Sequence, residues 1–239
     1  MKLFLRKRVP SHLYSVSGLV SGLAVLLIFT SEPGKKMNSH TLLCLGDSYT
    51  IGESVPSSEN FPTQVVQFLK KSNYQFDDPE IIAETGWTTD ELQEAINKHH
   101  FRNSYDFVTL LIGVNNQYRG SAIEEYKTGF ESLLKQAIQF ANGKAGHVIV
   151  LSIPDWGVTP FSKNAGRDQI RIAKEIDAFN EANKKITETY KANYIDITPG
   201  TRAASNDLNL IALDGLHPSG KEYKIWAQKV SAIIGSRLN

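Results

Sequence analysis

The sequence predicts an α/β fold, a three-layer α/β/α sandwich with a mainly parallel five-stranded sheet. Three observations predict it. From Thr41 onward, short apolar runs alternate with segments of helical periodicity. Several of those runs are too continuously apolar to leave one face in water, which implies strands buried on both sides. The connections between them are short, as β-α repeats require.

The first strand is expected at Thr41 to Leu45, where an apolar run breaks at Gly46-Asp47-Ser48, and Phe61 to Lys71 then has helical spacing. A second strand is expected at Glu80 to Ala83 and a helix at Thr89 to His100. A third strand at Tyr105 to Ile112 precedes a helix at Ile123 to Ala141. A fourth, His147 to Ile153, precedes a helix at Gly166 to Tyr190, and Tyr194 to Ile197 is the fifth strand before a closing helix from Lys221 to Leu238. Thr88-x-x-Glu91, Ser121-x-x-Glu124 and Ser219-x-x-Glu222 each match the capping box, in which hydroxyl and carboxylate satisfy reciprocal backbone donors. No internal repeat, low-complexity segment or linker follows Asn38.

The chain has 239 residues, is 41% hydrophobic and 21% charged, and carries a net charge of +1. These values describe one ordinary domain, expected over residues 39–239, and they lack the basic footprint of a nucleic-acid binder. The single Cys44 cannot form an internal disulfide and lies within the first strand pattern as a small hydrophobe. His12, His40, His99, His100 and His147 are scattered, and no zinc-type spacing occurs, so neither a metal nor a cofactor is expected. Residues 1–38 read differently. Lys2, Arg6, Lys7 and Arg8 precede an apolar stretch from Leu13 to Phe29 in the order of a signal peptide or signal anchor. Ser15, Ser17, Gly18, Ser21 and Gly22 interrupt that stretch, and no Ala-x-Ala-like cleavage site follows. Export, or membrane association through residues 13–29, is the expectation; a start at Met37 would instead leave the protein cytoplasmic.

In open parallel sheets the ligand crevice lies beyond the carboxyl ends of the strands. Gly46-Asp47-Ser48, Thr85-Gly86-Trp87, Gly113-Val114-Asn115-Asn116 and Pro154-Asp155-Trp156-Gly157 follow the first four strands in turn and would meet there. Asp214-Gly215-Leu216-His217-Pro218, just before the last helix, can close over the same edge. A hydroxyl at Ser48, an imidazole at His217 and a carboxylate at Asp214 are the three parts that serine-based acyl transfer requires. Pro218 biases His217 away from helical torsions and holds it outside a helix N-terminus. Ser48 N–H, Gly86 N–H and the Asn115 amide are candidate oxyanion donors. Taken singly, each has a plain structural reading: a turn serine, a strand-ending glycine, an Asx-turn. Their shared position after successive strands favours the chemical one.

These motifs, in this order and on these elements, resemble the SGNH hydrolases, also called GDSL esterases and lipases. The resemblance covers nearly everything from Thr41 onward. It implies a flavodoxin-like fold, Ser48 as nucleophile, His217 as base, Asp214 as its orienter, and an oxyanion hole of Ser48, Gly86 and Asn115. It requires no cofactor. One departure is that the third block often reads Gly-x-Asn-Asp, where this chain has Asn116. Trp87, Trp156 and Phe161 are candidates to line an acyl slot or stack on a sugar, with core packing as the alternative for each. Tyr118 and Arg119 are candidates to meet a polar or anionic head group, with a solvated loop arginine as the more common case. Trp226 reads as core, and Tyr49 and Glu53 as shaping the nucleophile loop. The expected reaction is hydrolysis of a carboxylic ester, with lysophospholipids or other acyl lipids ahead of acetylated carbohydrates if the N-terminus reaches a membrane. Thioester cleavage uses the same machinery, and a non-catalytic binding member is the alternative from another class. A mononucleotide site is disfavoured because Gly46 to Gly52 lacks the phosphate-loop lysine.

Overall fold

Residues 39–238 are described by the computed structural model; the expected signal or anchor segment lies outside the described residues. Five strands form one sheet: β1 (Leu42–Asp47), β2 (Glu80–Glu84), β3 (Phe107–Leu111), β4 (Val148–Leu151) and β5 (Asn193–Ile195). Their order is β2-β1-β3-β4-β5 and every neighbouring pair is parallel. Every residue of β1, β3 and β4 is buried, as their unbroken apolar runs require, whereas the edge strand β2 is only half-buried.

Helices cover both faces. α2 (Phe61–Lys71) packs against α9 (Gly220–Leu238) on one side, with Phe61 and Trp226 in contact at 6.2 Å between ring centroids. On the other side α3 (Thr89–Lys98) and α7 (Gln169–Thr189) flank α5 (Ile123–Phe140), whose Tyr126, Phe130, Leu133 and Leu134 are buried. No helix among the described residues is long and apolar enough to cross a membrane.

Four short helices were not legible as periodicity: α1 (Ser48–Ile51), α4 (Val114–Tyr118), α6 (Pro160–Asn164) and α8 (Thr198–Ala203). Each is under two turns and follows the carboxyl end of a strand. The crevice is therefore bordered by helix starts, whose first N–H groups have no intrahelical acceptor. The strand order reverses between β1 and β3, the switch point at which such sheets bind ligands.

Of the three capping boxes, only Thr88 with Glu91 forms; Thr88 N–H donates to Glu91 Oε2 at 2.8 Å. At Ser121 the box is absent because α5 starts one residue late, after Ala122, while Ser121 N–H is drawn to the Asn116 carbonyl closing α4. At Ser219 the hydroxyl donates instead to the Asn209 carbonyl at 2.6 Å, and Glu222 Oε1 is taken by the Trp226 indole N–H at 2.8 Å. The Ser219 N–H that the box would use donates to the Leu210 carbonyl at 2.8 Å.

The end of β1 is the most crowded point of the fold. A Cβ on Gly46 would lie 2.1 Å from Thr50 Oγ1 and 2.5 Å from the Leu111 carbonyl oxygen, so no side chain fits there. Asp47 is fully buried, and its Oδ1 accepts the Tyr49 N–H at 3.0 Å, which caps α1. Burial pushes its carboxyl up to about 7, against the smaller downward pull of the Tyr49 N–H.

Two expected outcomes follow from this junction. Gly46→Ala forces β1 and β3 apart and lowers unfolding free energy by roughly 1–3 kcal/mol in urea denaturation; unchanged stability would mean that the strand ends yield freely. For Asp47, the native state holds a proton that the unfolded chain has released between about pH 4 and pH 7, so stability falls as pH rises across that window. Asp47→Asn keeps the cap and removes this slope, worth on the order of 4 kcal/mol across the window. Denaturation midpoints of both proteins at pH 4.5 and pH 7.5 measure the difference.

Candidate active site

The loop from β5 to α9 is folded around one carboxylate. Asp214 Oδ1 accepts the N–H groups of Leu216 at 2.9 Å and His217 at 3.0 Å, which turns the chain sharply, and Gly215 takes a positive φ of 72° in that turn. The Gly215 carbonyl receives the Phe161 N–H at 2.9 Å, and Ala212 N–H donates to the His217 carbonyl at 2.8 Å, so the loop is held from both sides. Asp214 Oδ2 lies 2.6 Å from His217 Nδ1 and accepts the Ser54 hydroxyl at 2.8 Å. Burial raises the Asp214 carboxyl, but the bonds from His217, Leu216 and Ser54 outweigh it, leaving Asp214 below the ordinary carboxylate range. It is ionised at neutral pH and fixes Nδ1 of the imidazole as the protonated nitrogen.

The other imidazole nitrogen, His217 Nε2, is 2.9 Å from Ser48 Oγ. These residues lie 169 positions apart in the chain. His217 is 6% exposed, and Tyr49 packs on its ring at 4.9 Å between centroids. A hydroxyl, an imidazole and an ionised carboxylate thus form one continuous hydrogen-bonded line, which can draw a proton from Oγ as it attacks an electrophile.

Gly86 and Asn115 face this line from the ends of β2 and β3. Gly86 sits at φ +87°, a backbone conformation that a side chain would strain. Asn115 Nδ2 donates to the Trp87 carbonyl at 3.0 Å and lies 3.5 Å from Asp47 Oδ2. The longer contact is at the edge of hydrogen bonding, so one amide hydrogen remains available to a ligand. Ser48 N–H, as the first N–H of α1, also lacks an intrahelical acceptor. The departure at Asn116 has a clear structural use: its Oδ1 accepts Thr89 N–H and its Nδ2 donates to Thr89 Oγ1, both at 3.0 Å, tying α4 to the start of α3.

Sequence reasoning missed two supports. Ser54, which holds Asp214, is 160 residues away from it, and nothing local marks it. The other is Arg119, for which the sequence offers a head-group contact or a solvated loop position. Its guanidinium instead donates to the Gly86 carbonyl at 2.6 Å and to Glu91 Oε1 at 3.1 Å, while Glu91 Oε2 receives Thr88 N–H. The residue closing the Asn115 helix thereby clamps the Gly86 loop.

A cavity of about 210 Å³ opens over Ser48 and His217, walled by Val114, Tyr118, Trp156, Phe161 and Leu216. Trp87 does not reach it; its side chain packs against the core, and only its carbonyl serves the site. Trp156 contributes an edge only, being 4% exposed with its indole N–H bound to Gln117 Oε1 at 2.7 Å. Tyr118 and Phe161 are the more exposed walls.

Structural relatives match over most of the chain. A lipase/acylhydrolase from Enterococcus faecalis has a TM-score of 0.67 at 17% identity, covering 83% of this chain and 96% of its own. A psychrotrophic esterase from Pseudoalteromonas sp. has a TM-score of 0.58 at 18% identity, with coverage of 84% and 100%. An acetylxylan esterase from Geobacillus stearothermophilus has a TM-score of 0.63 at 19% identity, with coverage of 84% and 96%. At such identities the likeness is one of fold. Among curated proteins none matches this sequence. The model of the GDSL-like lipase/acylhydrolase family matches residues 44–225, a span that contains the Ser48, Gly86, Asn115 and Asp214 to His217 segments in order, and the chain therefore belongs to that family of hydrolases.

Proposed function

We propose that this chain is a serine esterase that cleaves carboxylic esters with short acyl groups through an acyl-enzyme. The observation that carries the proposal is the unbroken line from Asp214 through His217 to Ser48 at the floor of an apolar cavity, with bonds of 2.6 Å and 2.9 Å. His217 Nε2 accepts the Ser48 proton as Oγ attacks the acyl carbon. Asp214 keeps Nδ1 protonated and stabilises the imidazolium that forms. The oxyanion rests on Ser48 N–H, Gly86 N–H and Asn115 Nδ2–H, which are already held in place and need no reorganisation. His217 then returns the proton to the leaving alkoxide, and water repeats the sequence on the acyl-Ser48 ester.

The cavity supports the choice of acyl group. At about 210 Å³ it is smaller than the sites that enclose drug-sized ligands, roughly 300–1,000 Å³. Acetyl to butyryl groups suit that space better than the long chain of a lysophospholipid. An aromatic platform for a sugar ring is weakly supported, since Trp156 is buried and Arg167 covers the Tyr118 ring.

The test is hydrolysis of nitrophenyl esters from acetyl to long-chain acyl, with protein starting at Met37. The expected optimum lies at short chains, and Ser48→Ala lowers kcat by at least about 10³-fold. Equal rates in both proteins would refute the serine mechanism. The Arg119 clamp has a separate signature. Arg119→Met should lower kcat on nitrophenyl acetate by about 10-fold through the displaced Gly86 loop, with KM changed far less. A change confined to KM would instead make Arg119 a substrate contact.

A further inference from the structure

Beside the acyl cavity lies a second of about 430 Å³, bordered by Arg119, Arg167 and Arg171 together with Gln117 and Glu175. Tyr118 and Trp156 line both cavities and meet edge-on at 5.1 Å, so they form a shared partition. Tyr118, 43% exposed, is the open part of that partition.

The charges around the second cavity are not equally committed. Arg119 is bound to Glu91 and the Gly86 carbonyl. Arg171 Nε is paired with Glu175 Oε1 at 2.7 Å, and Glu175 Oε2 accepts Gln117 Nε2 at 2.7 Å. Asp168 spends Oδ1 on the N–H groups of Ile170 and Arg171, capping α7. Arg167 differs: among the described residues no carboxylate lies within ion-pair distance of it. Its guanidinium sits over the Tyr118 ring at 5.3 Å from the centroid and donates to the Tyr118 hydroxyl at 3.4 Å. The ring holds the guanidinium at the partition while one hydrogen bond, to the Tyr118 hydroxyl, leaves its other donors free.

Resting on the esterase reading above, we infer that this cavity is a subsite for an anionic group, carboxylate or phosphate, carried by the ester substrate, with Arg167 as its principal contact. An arginine fork matches such oxyanions bidentately. Glu175 is held by Arg171 and Gln117, and Asp168 directs Oδ1 to backbone N–H groups, so neither carboxylate at the cavity is paired with the Arg167 fork. The substrate class is then a short-chain acyl ester bearing a negative charge on the side of the ester bond away from the acyl cavity.

The test compares matched anionic and neutral esters at low ionic strength. On the alcohol side these are para-acetoxybenzoate against its methyl ester, and para-acetoxyphenyl phosphate against phenyl acetate. On the acyl side they are the mono-nitrophenyl ester of glutaric acid against nitrophenyl pentanoate. In at least one alcohol-side pair, the anionic-to-neutral ratio of kcat/KM should fall about 10-fold in Arg167→Glu and about 3-fold in Arg167→Gln, through KM. The two alcohol pairs separate carboxylate from phosphate. Ratios that stay within about twofold of wild type in every pair, or a response confined to the acyl-side pair, would overturn the inference. Turnover is not needed for the second arm. Calorimetric titration of Ser48→Ala protein with para-acetoxybenzoate should show binding that weakens about 10-fold when Arg167→Glu is added; equal affinity overturns the subsite whether or not the enzyme proves to be an esterase. Loss of hydrolysis of neutral nitrophenyl acetate in Ser48→Ala tests the esterase reading separately.

Discussion

Four donors converge on the Asp214 carboxylate, and the candidate site depends on that convergence. Two are the backbone N–H groups of Leu216 and His217, which bend the loop; one is the imidazole itself; the fourth is the hydroxyl of Ser54 from the nucleophile side of the site. A half-exposed carboxylate with fewer partners would protonate more readily and let the imidazole rotate. With four, it stays ionised, fixes the tautomer, and ties the last loop of the fold to the first. The loop has to be locked because His217 must meet Ser48 across most of the length of the chain.

The sheet supplies the rest of the geometry. A fully parallel order brings every strand's carboxyl end to one edge, and four short helices start directly beyond those ends. At that edge Ser48 N–H, the first of α1, has no intrahelical acceptor and can face negative charge. Gly46 lets β1 and β3 approach closely enough for Ser48 and Asn115 to share a site. Asp47 caps the serine helix from a fully buried position, and its raised carboxyl is the energetic cost of that placement. Arg119 and Asn116 then fasten the β2 and β3 ends to each other, by way of Gly86 and Thr89 respectively.

β1, β3 and β4 were legible because burial on both faces leaves continuous apolar runs, the short edge strands β2 and β5 by their place between helical segments, and the five long helices because an amphipathic face leaves a period. The short helices were not, since a single turn contains no period. Gly46-Asp47-Ser48, Gly86, Asn115 and Asp214 to His217 were legible as types in order along predicted elements. Ser54 was not, because its partner is distant in sequence and a lone serine in a loop has no distinguishing pattern. For Arg119 the sequence leaves both a head-group contact and a solvated loop open: a charge in a loop does not reveal whether it will meet a ligand or a carbonyl. Trp87 takes its core-packing alternative, an aromatic beside a glycine turn being equally able to point inward. The unformed boxes at Ser121 and Ser219 show other backbone bonds, from their N–H groups to the Asn116 and Leu210 carbonyls, taking the donor that a cap would use.

The central claim is that Ser48 is an activated nucleophile, made so by His217. Its most direct measurement is reaction of the folded protein with a fluorophosphonate probe, followed by peptide mass spectrometry to locate the adduct. A single adduct on Ser48 is expected in the native protein, and its loss in a folded His217→Ala variant. Native protein that remains unmodified, or that is labelled equally well without His217, would contradict it.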